Sequence, residues 1–494
     1  MLAASEPTAL AAPRPARGLE LGPAAGRWLL FAGIVAAGGA GVLAGRFDAV
    51  PAATLLIATA ALLAALLSAH AAVALLITLL LIPLETTGLL AGRLNQIDTL
   101  YGAAVLGLVL RALPSNERLA IQPVGLALLA FIAAGTVALA AGVLSTHAFN
   151  AAFGHFRGPF GYALIPALVL MIGKDSKNKR QTLLWLLCAV AAITAAQAVL
   201  AWAQLNGLVH LSGVLGRVAS PDETQRIGVV AATGGEFGYL RAWAGNFEGN
   251  SLGTFLVMIV PVSAYFALQG RSHALRLIFA GATALLLVAL MASYSRGAYM
   301  GLAAASLHLV LNTWRRSPLG AVALVLASGA LLVFLANELP GAQDRLITLR
   351  ALGDDPTVQH RQIVYQQVLD AFRHNPVWGI GLGTSLGEFG TGGESLYLFL
   401  LLHGGLLVAG TFIFLVWVAG RQVVEAFRAG RLSGLDLAVA AGLMGFAVHS
   451  AVDYTLWNPK VALTMWLMVG FLMAAVLEHG EERAAAASLA EPQW

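Results

Sequence analysis

Ionisable residues are scarce in this sequence, and several of them collect in short polar motifs at the edges of apolar runs. Such residues are functional candidates by default, because charge beside a membrane segment is costly to hold. The first motif is Arg241-Ala242-Trp243-Ala244-Gly245-Asn246-Phe247-Glu248-Gly249-Asn250. Arg241 there is either an interfacial arginine snorkelling beside a belt tryptophan or a ligand for an anion. The second is Ser293-Tyr294-Ser295-Arg296-Gly297-Ala298, a short turn between two apolar runs. Arg296 has no local acid, and a guanidinium between two spans calls for an anionic partner such as a phosphate. The third is Arg373-His374-Asn375-Pro376-Val377-Trp378-Gly379-Ile380-Gly381-Leu382-Gly383. It reads as a tight turn whose spaced glycines either serve geometry or turn backbone N–H groups towards an anion. The fourth is Gly393-Glu394-Ser395, opening a long apolar helix. Glu394 is either a helix cap or a general base. His403 lies deeper in the same run and reads as a buried histidine bonded to a neighbouring helix. His449 and Asp453 are four apart, which on a helix puts them on one face. The chemistry these types support together is anion stabilisation by arginine and proton removal by a carboxylate or imidazole.

The elements that must carry these motifs follow from composition. Of 494 residues, 59% are hydrophobic and only 11% charged, with a mean hydropathy of +0.79. Soluble domains carry about 25% charged residues, so a water-soluble globule, a disordered chain and a nucleic-acid-binding domain are excluded. The net charge of +4 is dispersed over short loops and forms no nucleic-acid footprint. Cys188 is the one cysteine; a disulfide within the chain or a cysteine-built metal site is therefore excluded, and Cys188 reads as a buried small hydrophobe. No Walker A pattern, dinucleotide fingerprint or internal repeat is present, and no cofactor is expected.

Apolar runs long enough to cross a bilayer fall near 27–46, 50–68, 70–84, 98–113, 120–144, 159–173, 182–206, 250–269, 275–294, 298–313, 318–337, 394–419, 433–454 and 461–478. The expected fold is an all-α polytopic membrane protein of about 12–14 transmembrane helices. Its parts are a flexible cytoplasmic N-terminus (1–26), a transmembrane domain (27–478) and a cytoplasmic C-terminal tail (479–494). The N-terminal residues do not read as a clear signal peptide, and the first run reads as a retained span. Lys174, Lys177, Lys179 and Arg180 place one loop inside. Arg271 with Arg276, Arg315 with Arg316, and Arg421 with Arg428 and Arg431 agree. Both termini are then cytoplasmic, and two long loops, 207–249 and 338–393, lie outside together with all the polar motifs. Within the second loop, Val364, Val368 and Phe372 repeat at helical spacing among Arg361, Gln362, Gln366, Gln367 and Asp370. This is an amphipathic helix that lies on the membrane, lids a cavity, or packs on its own loop. Arg361 and Arg373 read as helix surface or as ligand contacts.

Taken in order, these motifs resemble the O-antigen ligase and polymerase superfamily of bacterial envelope glycan transferases. The resemblance rests on Arg241 with Gly245, Phe247 and Asn250, on Ser295-Arg296-Gly297-Ala298, on Asn375-Pro376 with Gly379-Ile380-Gly381-Leu382-Gly383, and on the polar pair Glu394-Ser395. It implies a metal-independent, inverting transfer at the periplasmic face of the inner membrane. The donor would be a glycan on undecaprenyl pyrophosphate, and the acceptor a glycan, lipid A–core or protein hydroxyl. The lipid bilayer is a partner throughout, a chain-length-control protein is a further one, and no nucleic acid is expected. By motif the pyrophosphate falls to Arg241 and Arg296, and Glu394 is the base or an acceptor-positioning group. Asn250, Arg361, Arg373, His403 and Asp453 are the candidate substrate-binding residues. Ligases place a histidine, usually followed by asparagine, where this chain has Glu394-Ser395; the departure fits a polymerase-like or diverged member better. The rival class is a transporter or flippase for lipid-linked sugars, which would carry polar groups nearer mid-membrane.

Overall fold

A computed structural model of the chain describes residues 19–20, 101–107, 120–121, 123–167, 249–270, 272–314, 356–386 and 394–490, with scattered residues between 169 and 203 and between 318 and 337. It is an all-α polytopic membrane protein. Five described helices are long and apolar enough to cross a bilayer. Of the other expected spans, 27–46, 50–68 and 70–84 lie outside the described residues, and 98–113, 159–173, 182–206 and 318–337 are described only in part. The spans 298–313 and 433–454 are described as the helices Arg296–Trp314 and Gly434–Ser450, which are not among the five.

The helices are α1 (Pro123–Thr146), α2 (Phe149–Arg157), α3 (Gly249–Gln269), α4 (His273–Ala292), α5 (Arg296–Trp314), α6 (Pro356–His374), α7 (Leu396–Arg428), α8 (Gly434–Ser450) and α9 (Pro459–Ala490). A 3-10 turn at Gly161–Leu164 follows α2, and Leu19–Glu20 pairs antiparallel with Ala120–Ile121. The spanning helices α1, α3, α4, α7 and the Pro459–Leu477 part of α9 follow the apolar runs of the sequence. Helix α8 is shorter, and its start is fixed by a capping box: Ser433 Oγ accepts from Asp436 N at 3.3 Å, while the Asp436 carboxylate accepts from Ser433 N at 2.7 Å.

Helix α3 is the hub, packed against α4, α5, α8 and α9. From Asn250 to Phe266 most of its side chains are buried, Leu252, Phe255, Leu256 and Val257 completely. In lipid, apolar side chains gain little from meeting each other rather than acyl chains, so close backbone approach between helices becomes the main source of attraction. Gly445 of α8 and Gly301 of α5 provide it. A Cβ on Gly445 would lie 2.8 Å from Gly301 O, and one on Gly301 would lie 2.6 Å from Gly445 O. Gly445→Val is therefore expected to lower stability by about 1–3 kcal/mol by forcing α5 and α8 apart. A thermal midpoint in detergent unchanged from wild type would contradict that packing.

This packing brings the polar motifs together. Helix α8 runs antiparallel to α3: Gly434 abuts Tyr265 near the end of α3, and His449 bonds Thr254 near its start. Helix α4 returns from the far end, so α5 begins beside the start of α3. Ser395, which precedes α7, donates to Ser450 O at the end of α8, 3.4 Å away. One end of the bundle thus holds Asn250, Arg296, Glu394 and Asp453. The opposite end of α7 carries Arg421 and Arg428, with Arg431 just beyond it.

Candidate active site

Arg296 is delivered by a three-residue reversal between α4 and α5. Ser293 closes α4, with its hydroxyl donating to Leu290 O at 2.6 Å. Tyr294 takes φ 50°, a region that bulky residues rarely adopt. Its ring is buried, and the Tyr299 hydroxyl donates to Met291 O at 2.7 Å, stitching α5 back onto α4. Ser295 then caps α5, its Oγ accepting from Ala298 N at 3.3 Å. Arg296 is consequently the first residue of α5 and is half-buried. There the positive end of the helix dipole adds to the guanidinium charge, an arrangement suited to a phosphate-type anion.

The second charged group comes from α6 and the start of α7. Val364 and Val368 of α6 are buried against Leu402, with Leu398, Ile380 and Leu386 beside them. The buried face of the amphipathic stretch therefore packs on α7 as well as on its own loop. With that face fixed, Arg361 Nε donates to Glu394 Oε2 at 2.9 Å, the two side chains being 23% and 32% exposed. The Tyr365 hydroxyl donates to Glu394 O at 3.4 Å. Burial raises the Tyr365 phenol above its usual range; Arg361 opposes this, and the nearby carboxylates Glu394 and Asp453 reinforce it. Glu394 itself sits one residue before the cap position of α7, and its carboxylate binds Arg361 rather than helix amides. The capping role is replaced by an ion pair, because Ser395 occupies the cap position.

Asp453 differs from its expected setting as well. Helix α8 ends at Ser450, so Asp453 lies beyond it in the 451–458 turn, not one helical turn above His449. It is 8% exposed. The turn is fixed by Tyr454 stacked on Phe399 with centroids 3.9 Å apart, and by Asn458 Oδ1 accepting from Lys460 N at 3.0 Å.

The glycine-rich turn proves to be a structural splice. Helix α7 breaks at Gly405, which has φ 59° and ψ −156°. The turn supplies replacement hydrogen bonds there: Ile380 N to Leu402 O at 2.9 Å, Gly381 N to His403 O at 3.1 Å, and Leu406 N to Pro376 O at 2.8 Å. Leu382 N donates to Ala138 O of α1 at 3.0 Å. Gly381, at φ 85°, passes against the Gly142 backbone with no room for a Cβ. The N–H groups of Gly379, Ile380, Gly381 and Leu382 all donate to protein carbonyls, so they do not form an anion nest.

His403 belongs to the same splice. It is fully buried, and its Nδ1 donates to Gly381 O at 2.7 Å. Its ring stacks on His155 of α2, with centroids 6.1 Å apart. Burial first, then the charges of His403 and Arg157, lower the His155 imidazole to about 4. The sign follows from linkage: between the unfolded value of 6.5 and about 4, the unfolded chain binds this proton more readily than the folded one. Stability from this group is complete above pH 6.5 and declines as pH falls towards 4. His155→Gln is expected to flatten the thermal midpoint over that window; an unaltered pH slope would contradict it.

The structure thus gathers Arg296, Asn250, Arg361, Glu394 and Asp453 at one end of the bundle. Asn250 enters through its backbone, its carbonyl accepting from the Thr254 hydroxyl at 2.8 Å. Arg373 is apart from the group: it pairs with Asp370 at 2.7 Å, with side chains 74% and 64% exposed. Arg241 lies outside the described residues. Sequence reasoning missed three residues near this end. Tyr365 lies beside the apolar face of α6 with no polar motif around it, and His155 sits in a short segment without strong periodicity. Lys460, 1% exposed at the start of α9, carried a visible signal in being a lysine at the edge of an apolar run. Among the described residues no cluster of three or more His, Cys, Asp or Glu could hold a metal.

A pairing of cationic and carboxylate groups at the mouth of a membrane bundle suits transfer of a group from an anionic carrier. The comparison with known proteins points the same way. Residues 281–400 match a family model described as O-Antigen ligase, a stretch that contains Arg296, Arg361, Arg373 and Glu394. No curated protein matches the chain. The matched stretch, 120 of the chain's 494 residues, is similar to the O-antigen ligase family and supports an O-antigen ligase-like reading of the chain.

Proposed function

We propose that this protein transfers an oligo- or polysaccharide from undecaprenyl pyrophosphate to an acceptor hydroxyl at the periplasmic face of the bacterial inner membrane. The observation that carries this reading is the placing of Arg296, at the positive end of α5, with the Arg361–Glu394 pair at one end of the bundle. Arg421, Arg428 and Arg431 at the other end support a cytoplasmic assignment for that side. Arg296, together with Arg241, holds the pyrophosphate. Glu394 takes the proton of the acceptor hydroxyl as its oxygen bonds to the anomeric carbon. The bond from that carbon to the pyrophosphate oxygen breaks, and the pyrophosphate leaves with the electron pair. The transfer inverts the anomeric centre. Arginines stabilise the leaving charge by permanent, bidentate contacts, so the step calls for no metal. The donor is already activated, so it calls for no ATP either. The Arg361 contact orients Glu394, Asn250 and Asp453 line the same end, and His403 supports it through the glycine splice. Glu394-Ser395, in place of the histidine–asparagine pair of ligases, favours a polymerase-like or otherwise diverged member.

The test is the profile of polyprenyl-linked glycans in a strain lacking the gene. Accumulation of single repeat units supports polymerisation, and accumulation of long polymer on the lipid supports ligation to an acceptor. A profile identical to wild type, with no redundant enzyme, would overturn both.

A further inference from the structure

We infer that His449 is a positioning residue that sets the Ser295-Arg296-Gly297 turn, and with it the direction of the Arg296 guanidinium. The inference rests on the transfer reaction proposed above. His449 is completely buried at the end of α8. Both ring nitrogens meet hydroxyls from different helices: Nδ1 lies 2.8 Å from Thr254 Oγ1 of α3, and Nε2 lies 3.2 Å from Ser295 Oγ, the cap of α5.

The Asn250 carbonyl fixes the directions of these bonds. The Thr254 hydroxyl donates to Asn250 O at 2.8 Å, so its oxygen accepts from Nδ1–H. In a neutral imidazole Nε2 then has a lone pair and no proton, so it accepts from the Ser295 hydroxyl. Ser295 Oγ is left to accept from Ala298 N at 3.3 Å. The result is one directed chain, from α5 through Ser295 to His449, and on through Thr254 to the backbone of Asn250. Each hydroxyl proton is committed, so the tautomer and the ring plane are fixed together.

Gly297 is the third part of the device. A Cβ there would lie 2.7 Å from His449 Cδ2 and 2.9 Å from Nε2. Only a residue without a side chain lets the imidazole reach Ser295. The sequence Ser295-Arg296-Gly297 therefore reads as a unit: one residue bonds His449, one makes room for it, and the arginine between them is aimed by both. His449 touches neither donor nor acceptor in this account. It acts through the turn.

The test uses the purified full-length protein in proteoliposomes, with transfer from a polyprenyl-pyrophosphate glycan measured per folded molecule. His449→Phe keeps the ring volume and removes both hydrogen bonds. It is expected to lower kcat about 100-fold with KM for the donor within about threefold, since a misplacement near 1 Å has that scale of effect. Ser295→Ala is expected to show the same split. The double variant should lose no more than either single one, because both remove one linkage. His449→Gln, which retains one polar contact, should recover part of the rate. Multiplicative losses in the double variant, or kcat of His449→Phe within twofold of wild type, would overturn the inference. If wild-type protein fails to transfer from that donor, the proposed reaction falls, and positioning is then read from inorganic pyrophosphate binding by calorimetry. Weakened binding in both Arg296→Ala and His449→Phe sustains it. Wild-type affinity in His449→Phe, or no pyrophosphate binding by the wild-type protein, overturns it.

Discussion

Arg296→Ala is expected to reduce kcat for glycan transfer by about 10³-fold while leaving the protein folded in the membrane. The size follows from what the residue does in the proposed step. Charge develops on the departing pyrophosphate only as the glycosidic bond breaks, so a guanidinium aimed at it acts mainly on the transition state. Removing one such preorganised donor costs about 10²–10³-fold in well-studied sites, and the low dielectric at a membrane mouth favours the upper end. Arg296→Lys should recover little, because an ammonium lacks the planar fork and the permanent charge of arginine. The substitution should not unfold the chain. Arg296 is the first residue of α5, where its N–H need not bond within the helix, and the turn is held by Ser293, Ser295 and Tyr299. The decisive readout is turnover per folded molecule. Rates within tenfold of wild type in Arg296→Ala would remove this arginine from the mechanism.

Glu394→Gln is expected to lower kcat by about 10²–10⁴-fold, the usual contribution of a general base. Glutamine preserves the shape and can keep a contact at 2.9 Å to Arg361, so a loss would report the missing carboxylate and not a collapsed site. Arg361→Ala provides the internal comparison. It leaves the carboxylate in place without its orienting partner, and a loss of about 10–100-fold is expected. If Glu394→Gln turns over at the wild-type rate, the carboxylate serves only to hold α6 against α7. Asp453, buried in the neighbouring turn, would then be the next base to test.

Much of the architecture was legible because charge is so sparse. The apolar runs at 250–269 and 275–294 reappear as α3 and α4 with boundaries shifted by at most two residues. Among the described residues, Arg276, Arg421, Arg428 and Arg431 fall at the opposite end of the bundle from Arg296 and Glu394. Tertiary choices were not legible. Arg361 and Glu394 are 33 residues apart, and nothing local marks them as partners. Four-residue spacing suggested that His449 and Asp453 share a helix face, but α8 stops at Ser450 and turns Asp453 into the loop. The three glycines of the 379–383 turn signalled an irregular backbone. Their hydrogen bonds go to the break in α7 at Gly405, and a distant helix break cannot be inferred from the turn itself. Arg241, half of the expected pyrophosphate clamp, lies outside the described residues, so its role rests on the motif alone.

The most direct test of the central claim is reconstitution. Purified protein in proteoliposomes would be given a polyprenyl-pyrophosphate glycan and its acceptor, and free polyprenyl pyrophosphate would be measured against glycan transferred. The expected result is release of one lipid pyrophosphate per glycan joined, slowed about 10³-fold by Arg296→Ala. Movement of intact lipid-linked glycan across the bilayer, with no lipid pyrophosphate released, would contradict it and make the protein a transporter.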